Sequence, residues 1–199
     1  MRGFFSAYIC VVFVSLIVLS LSCEETTSKN EDLMSLIPQN TDIILRINDI
    51  NSIKNKFQND GLLKDLYFPK DLRLKVKNLV KDSLNNQIIA FSNFGKEEKA
   101  ITVIHKRTKD SSYLRYEKII YSGKPIYKFK KGNTEFYKTF IQNNTIVGDS
   151  RIIIENCIRN HQQQKKGIND DNFNEIIGTA DQERGINLFL KGDPKLVSN

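Results

Sequence analysis

The spacing of hydrophobic positions changes along the chain, and each spacing predicts one kind of element. Alternating or short continuous apolar runs predict a strand over 41–47 and a hairpin formed by 87–94 and 100–106. Four further short runs predict an antiparallel meander: 118–121, 126–130, 135–141 and 145–148. A last strand is predicted over 185–190. These patterns favour a mostly antiparallel sheet.

Apolar residues spaced three and four apart predict helices between the strands. The first helix starts near residue 50 with Asn51 or Ser52 as its cap and ends at Gly61, and the second opens at Pro69. A third helix follows Ser150, and a shorter one covers 170–177. The apolar stripe of the second helix consists of Leu72, Val76, Leu79 and Val80, and that of the third of Ile153, Ile154, Cys157 and Ile158.

Three dipeptides mark the turns of the meander: Ser122-Gly123, Gly132-Asn133 and Asn143-Asn144. Residues of these types tolerate a positive φ, which tight hairpin turns require. Together the patterns predict a single α+β domain over residues 35–199. In this fold, amphipathic helices pack on one face of a mostly antiparallel sheet.

The first 23 residues follow a different pattern. After one early charge, no charged side chain occurs until Glu24, and the segment between is apolar enough to enter a bilayer as a helix. The small residues Ser20 and Ser22 precede Cys23. A basic start, an apolar core and small residues before a cleavage point are the features of a secretory signal. Residues 1–22 are therefore predicted to be a signal peptide.

The sequence Ser20-Leu21-Ser22-Cys23 resembles the lipobox of a type II bacterial lipoprotein signal peptide. The resemblance implies that the Cys23 thiol receives a diacylglycerol after cleavage. Such signals usually carry Leu where this chain has Ser20, and relaxed versions are typical of lipoproteins of the Bacteroidota type. A retained membrane helix stays open as an alternative, because the uncharged stretch reaches the length that spans a bilayer. Either interpretation predicts an exported chain attached to a membrane.

Residues 23–34 are predicted to form a flexible acidic tether, because this stretch has almost no apolar surface to bury. Its acids are Glu24, Glu25, Glu31 and Asp32. Removal of residues 1–22 lowers the formal net charge from +7 to +6, so the mature protein stays basic. Cys157 is then the one thiol of the predicted domain, and no internal disulfide is expected.

A second resemblance covers part of the domain. Residues 37–44 lead into the first strand, and residues 144–150 lead from a strand into a helix. This order resembles the opening domain of uncharacterised bacterial envelope lipoproteins of a domain-of-unknown-function class. Members of that class are usually much longer, which implies that residues 35–199 correspond to the N-terminal part of a longer architecture. The resemblance implies no known reaction.

Few residues have the spacing that catalysis or metal binding requires. His105 and His161 lie in different predicted elements, and neither falls in a metal-ligand motif. Cys157 precedes His161 by four residues, so the two would share a helix face and could form a nucleophile pair. We favour a core position for Cys157 because it falls in an apolar stripe. The sequence predicts no catalytic, cofactor-binding or metal-binding residue, and Cys23 is the predicted lipidation site.

The segment 96–138 carries twelve Lys or Arg against five Asp or Glu, interleaved with aromatic residues. In a cytosolic protein this mixture would favour nucleic-acid binding, but export argues against a nucleic-acid partner. Strand alternation places Lys128 and Lys130 opposite Tyr127 and Phe129, so that the rings fill the core and the lysines face water. We favour this solvated face, with binding of an anionic envelope glycan as the alternative.

Two classes of function stay open. The first is a non-catalytic binding or assembly module of the cell envelope, attached to the outer membrane by a lipid anchor on its periplasmic or surface-exposed side. The second is an exported hydrolase with an unrecognised site. Converging polar groups with shifted pKa values would favour the hydrolase, and a filled core under a flat basic sheet would favour the module. The expected partners are the membrane and an envelope protein or an anionic glycan.

Overall fold

Eight strands form one antiparallel sheet, and helices pack on both of its faces. The computed structural model describes residues 33–59, 61–66, 68–94, 98–109, 112–164, 171–181 and 183–191. The chain divides into two units, Met1–Glu31 and Asp32–Asn199, and every described residue belongs to the second. The predicted α+β class and the antiparallel sheet are confirmed.

The strands are β1 (Thr41–Ile47), β2 (Gln87–Phe94), β3 (Glu98–Lys106), β4 (Glu117–Tyr121), β5 (Lys124–Lys131), β6 (Thr134–Ile141), β7 (Asn144–Gly148) and β8 (Ile186–Leu190). The helices are α1 (Ile50–Gln58), α2 (Gly61–Asp65), α3 (Lys70–Leu79), α4 (Arg151–Gln162) and α5 (Asp171–Thr179). Two 3₁₀ helices cover Leu33–Leu36 and Ser112–Arg115. Every predicted strand and helix is present, and the structure adds α2 and the 3₁₀ helices.

The order of strands across the sheet is β4-β5-β6-β7-β3-β2-β1-β8. The meander β4 to β7 therefore joins the hairpin of β2 and β3 through the pair β7–β3, in which Thr145 lies opposite His105. The last strand pairs with β1 at the far edge. This arrangement brings His105 on β3 next to the meander, which starts at residue 117.

Alternation along the central strands sends apolar residues to both sides of the sheet. On one side Leu45, Phe91 and Val103 pack with α1, α2 and α3, and we call this side the α3 face. On the other side Ile44 and Ile104 pack with α4, α5 and the first 3₁₀ helix, and we call it the α4 face. Central strands that are apolar on both faces require cover on both. The helices thus lie on both faces rather than on the one face expected from the sequence.

The start of α1 differs from the prediction. Its N-cap is Asp49, whose carboxylate accepts a hydrogen bond from the backbone N–H of Asn51 at 3.0 Å. The predicted caps, Asn51 and Ser52, lie inside the helix, and Gly61 begins α2 instead of ending α1. Asp, Asn and Ser are all good caps, so a run of such residues leaves the cap undecided until the chain is folded.

The turns of the meander follow the prediction with one shift. The first two occupy the predicted dipeptides, and Ser122 and Gly123 have φ values of 48° and 73°. The third turn consists of Gln142 and Asn143, with Gln142 at φ 49°, so the predicted dipeptide lies one residue too late. Asn144 already belongs to β7 and is buried between its neighbouring strands.

The N-terminal boundary of the domain lies earlier than predicted. Leu33 and Met34, placed at the end of the tether by the sequence analysis, form the start of a 3₁₀ helix and are buried in the core of the α4 face. Their apolar side chains are stabilised by removal from water, which offsets the entropy cost of ordering them. The signal peptide, Cys23 and the rest of the tether lie outside the described residues.

Candidate anion-binding site

Strands β4, β5 and β6 distribute their charges unequally between the two faces of the sheet. On the α3 face they carry Lys118, Lys131 and Lys138, and neither of their acids. The α4 face carries the other charged residues of these strands, which are Lys124, Lys128, Lys130, Glu117 and Glu135. Positive charge is therefore concentrated on the α3 face.

Two of the three lysines on the α4 face, Lys128 and Lys130, are paired with an acid. The Lys128 ammonium lies 3.1 Å from Glu135 Oε1, and the Lys130 ammonium lies 3.5 Å from the same oxygen. The hydrogen bond between Lys128 and Glu135 raises the pKa of Lys128 and lowers the pKa of Glu135. The predicted alternation of these lysines with Tyr127 and Phe129 is confirmed by the strand register.

Aromatic rings cover the α3 face of the same strands. The rings of Tyr116 and Phe129 are stacked, with centroids 4.6 Å apart, and Tyr127 meets Phe140 edge to face at 5.9 Å. The guanidinium of Arg107 lies 4.3 Å from the centroid of Phe140. All four rings are only half-buried, so Tyr127 and Phe129 do not fill the core as predicted. Rings with one exposed surface can stack against a ligand.

We use the name basic aromatic surface for the residues on this part of the α3 face. Its members are Arg107, Tyr116, Lys118, Tyr127, Phe129, Lys131, Lys138 and Phe140. The sequence analysis identified the basic aromatic composition of this segment, but it expected the lysines and the rings to lie on opposite faces. Lys138 shares the face of the rings, because it stands two residues from both Phe136 and Phe140 on β6.

A cavity of about 220 Å³ lies between the end of α3 and the basic aromatic surface. Leu79 and Val147 form apolar walls, and the Tyr116–Phe129 stack lies at one side. The basic residues of the lining are Lys81, His105, Lys130, Lys131 and Lys138. None of the described residues that line the cavity is Asp or Glu. Such a lining favours an anionic ligand.

The lysines differ in how their ammonium groups are placed. Lys138 is only 8% exposed, and its ammonium lies 5.3 Å from the centroid of the Phe140 ring. The Lys131 ammonium donates to the backbone oxygen of Asn78 at 3.0 Å, near the end of α3. The Lys130 ammonium pairs with Glu135 on the α4 face, so we do not count its charge toward the cavity.

With 2% of its surface exposed, His105 is more deeply buried than Lys138, the other buried titratable residue of the cavity. Its Nδ1 donates to the backbone oxygen of Lys106 at 2.7 Å, which leaves Nε2 as an acceptor in the neutral ring. Burial lowers the pKa of His105, and the positive charges of Lys81 and Lys138 lower it further against the opposing effect of the Lys106 hydrogen bond. The sequence analysis considered His105 only as a metal ligand and missed this position.

Cavity hydroxyls are not coupled to this histidine. Ser112 and Tyr116 bond to each other at 3.3 Å, and among the described residues no hydroxyl or carboxylate is hydrogen-bonded to the His105 ring. A nucleophile–base pair needs such a bond. The cavity therefore has the charge of a binding site without the geometry of an acyl-transfer site.

Cys157 lies in the core of the α4 face, as predicted. Its side chain is 3% exposed and packs with the apolar stripe of α4. Burial raises the pKa of its thiol to about 12. A thiol with this pKa is un-ionised at neutral pH and is a poor nucleophile. The geometry gives no support to a nucleophile pair of Cys157 with His161.

Neither a metal-ligand cluster nor a membrane-spanning helix occurs among the residues that the structure describes. No group of three or more His, Cys, Asp or Glu side chains there is arranged to hold a metal ion. No helix there is long and apolar enough to cross a bilayer. Cys23, the predicted lipidation site, lies outside those residues.

Comparisons with protein-family models, with curated proteins and with solved structures gave no match to this chain. The resemblances to lipoprotein signals and to envelope lipoproteins therefore stay predictions. The functional inference rests on the cavity and on the surface around it.

Proposed function

We propose that this protein is a non-catalytic binding module of the cell envelope, anchored by a lipid on Cys23, and that its basic aromatic surface binds an anionic glycan. The observation that carries the proposal is the separation of charge in β4–β6, where the α3 face holds three lysines and both acids of these strands lie on the α4 face. The alternative of an exported hydrolase lacks a coupled nucleophile among the described residues.

Charge complementarity supports an anionic partner. Lys118 and Lys131 are exposed on the α3 face, and Arg107 lies exposed at its border. A surface with one sign of charge attracts an oppositely charged polymer and increases its rate of association. Both acids of these strands lie on the other face, so they do not oppose binding by direct contact.

Aromatic rings support a sugar rather than a simple polyanion. The Tyr116–Phe129 stack and the Tyr127–Phe140 pair are half-buried, so each pair is held in place by packing and still reaches solvent. The negative face of an aromatic ring attracts the positively polarised C–H groups on one side of a pyranose. A ligand that carries both sugar rings and anionic groups would use both features of the surface.

The test of the glycan site compares two matched double variants. Lys118→Gln with Lys131→Gln removes two exposed charges from the α3 face, and Lys124→Gln with Lys128→Gln removes two charges from the α4 face, neither of which lines the cavity. With dextran sulfate as probe, we expect calorimetry to show about tenfold weaker binding for the first pair. The second pair should bind like the wild type. Equal losses in the two pairs would contradict the proposal.

Neutral dextran provides the control for the sugar backbone, and we expect it to bind far more weakly than dextran sulfate. Binding of dextran sulfate should weaken as salt is raised, because its contacts are with exposed charges. Absence of binding at low ionic strength would remove the glycan proposal altogether.

The anchor is tested separately in a host that exports and lipidates the chain. A palmitate analogue should label the wild-type protein and leave Cys23→Ala unlabelled. Mass spectrometry of the mature amino terminus distinguishes a lipidated Cys23 from a retained helix. Equal labelling of the two proteins would contradict the lipid anchor without bearing on the glycan site.

A further inference from the structure

We propose that the cavity beside His105 takes one sulfate or phosphate group of a sugar, and that His105 gains a proton when the group binds. The inference deepens the proposed function and rests on it, because the cavity adjoins the basic aromatic surface. It adds the chemical class of the bound group and a dependence on pH.

Cavity size favours a single substituent over a whole oligosaccharide. Pockets for drug-sized ligands measure about 300 to 1,000 Å³, whereas this cavity holds about 220 Å³. At ~30 Å³ each, about seven water molecules would fill it. A tetrahedral oxyanion with the edge of its sugar fits this space. The sugar ring would then meet the exposed side of the Tyr116–Phe129 stack, which lines the same cavity.

The charges around His105 come from several elements. Lys81 follows α3, Lys131 lies on β5 and Lys138 on β6, and Tyr116 adds a hydroxyl just before β4. In the free protein the ammonium charges of Lys81 and Lys138 oppose protonation of His105. An oxyanion bound between these groups supplies negative charge and favours the protonated ring.

The hydrogen bond of His105 determines where the added proton goes. Nδ1 already holds a proton and donates it to the backbone oxygen of Lys106. Nε2 therefore accepts the incoming proton, which is taken from solvent, and becomes a donor to the bound oxyanion. Proton uptake by the ring accompanies anion binding, so binding strengthens as the pH falls.

Glucose 6-sulfate is the probe for this inference, because its charge does not change in the working range. A phosphate monoester has a pKa near 6 and would titrate together with the histidine. The chain holds only two histidines, so their NMR ring signals can be assigned with His161→Gln. We expect the pKa of His105 to rise by about one when glucose 6-sulfate is bound, which corresponds to about tenfold tighter binding at low pH. The NMR signal of the His161 ring should not shift when glucose 6-sulfate is added.

His105→Asn is the matched variant, since its amide nitrogen can replace Nδ1 as the donor to Lys106 while the titrating Nε2 is lost. It should bind glucose 6-sulfate with no increase in affinity between pH 7.5 and 5.5. Lys138→Met should weaken binding about tenfold or more at either pH. Inorganic sulfate alone should bind more weakly than glucose 6-sulfate, which separates a free anion from a sugar ester.

An unchanged pKa of wild-type His105 at saturating glucose 6-sulfate would overturn the inference, even if His105→Asn does not fold. A pH dependence retained in a folded His105→Asn protein would also overturn it. Dextran sulfate binding on the α3 face together with either of these results would leave the proposed function intact. Loss of dextran sulfate binding as well would remove both.

Discussion

The two faces of strands β4, β5 and β6 differ in charge and in aromatic content, although alternating residues of the same three strands form both. On the α4 face, Glu135 forms ion pairs with both Lys128 and Lys130, and Tyr137 packs against the core. On the α3 face, Lys118, Lys131 and Lys138 stand among half-buried rings. Strand alternation thus separates a face with paired charges from the face of the basic aromatic surface within one meander.

Cover by helices explains why a cavity lies on the α3 face beside these strands. Helix α4 packs on the α4 face of β6 and β7 and buries Cys157 there. Helix α3 packs on β3 and ends at Leu79, which forms a wall of the cavity. Among the described residues, the α3 face beyond this point carries rings instead of a helix, and these rings are half-exposed. The basic aromatic surface therefore lies where the described helices no longer cover the sheet.

The largest expected effect comes from the core beneath the rings. Phe136 is fully buried on the α3 face, 5.7 Å from the Phe129 ring. Phe136→Ala should lower the free energy of unfolding by about 3 to 5 kcal/mol through lost burial and a cavity. Phe140→Ala, which removes a half-buried ring from the same strand, should cost much less. Urea denaturation followed by circular dichroism measures both, and equal costs would contradict the distinction between core and surface rings.

A second prediction concerns the attachment of α3 to the sheet. One oxygen of Asp149 accepts from the backbone N–H of Ile101 at 2.8 Å, and the other lies 2.9 Å from the Lys75 ammonium on α3. Asp149→Ala should lower the free energy of unfolding by about 2 kcal/mol, since it leaves that N–H without its acceptor.

The control for Asp149 is an ion pair on the opposite side of the molecule. Arg151 and Glu155 are paired at 2.7 Å along the surface of α4. Glu155→Ala should cost below about 0.5 kcal/mol, because exposed pairs of this kind contribute little. If both variants lose the same stability, the Asp149 contacts do not hold α3 in place.

A third prediction tests the core of the α4 face. Cys157→Ala should lower the free energy of unfolding by about 1 to 2 kcal/mol through lost packing. Burial raises the pKa of the thiol to about 12, so the native state keeps its proton while the unfolded thiol ionises. Stability should therefore fall as the pH rises above about 9, and this part of the pH dependence should be absent in Cys157→Ala.

Thiol labelling gives an independent measurement of the same residue. Native Cys157 should react slowly with a thiol reagent at neutral pH and quickly after unfolding. Fast labelling of the folded protein would contradict its core position and would reopen the nucleophile hypothesis.

The smallest expected effect concerns His105 on the α3 face. Its pKa is lowered in the native state, chiefly by burial, so the unfolded chain takes up a proton at a higher pH than the folded one. The free energy of unfolding should fall as the pH drops below about 6.5, by at most about 1.4 kcal/mol for each whole-number difference in pKa. His105→Asn should lack this contribution. Identical slopes of stability against pH in the two proteins would contradict the lowered pKa.

Local patterns were enough to predict the elements of the fold. The apolar run that predicts β2 and the apolar stripe that predicts α3 end within a few residues of the ends of these elements in the structure. Boundaries such as the Asp49 cap and the Gln142-Asn143 turn differ by one to three residues, because neighbouring residues have similar preferences and tertiary contacts select among them.

The candidate site was only partly predictable from the sequence. The basic aromatic composition of the segment 96–138 is visible in the sequence, and alternation correctly separates Lys128 from Phe129. Alternation cannot say which face a helix will cover, so the rings were expected in the core. The position of His105 in the cavity could not be predicted from the sequence, because Lys81 and Lys138, whose charges act on it, lie far from it in the chain.

The sequence by itself determined the type, order and approximate limits of the strands and helices, since these depend on the spacing of apolar residues and on turn chemistry. Tertiary structure alone decided that β7 pairs with β3 and that helices cover both faces. It also decided that the cover on the α3 face stops beside His105. Pairing of distant strands depends on the total apolar surface that the folded chain removes from water. A local sequence pattern does not determine this total.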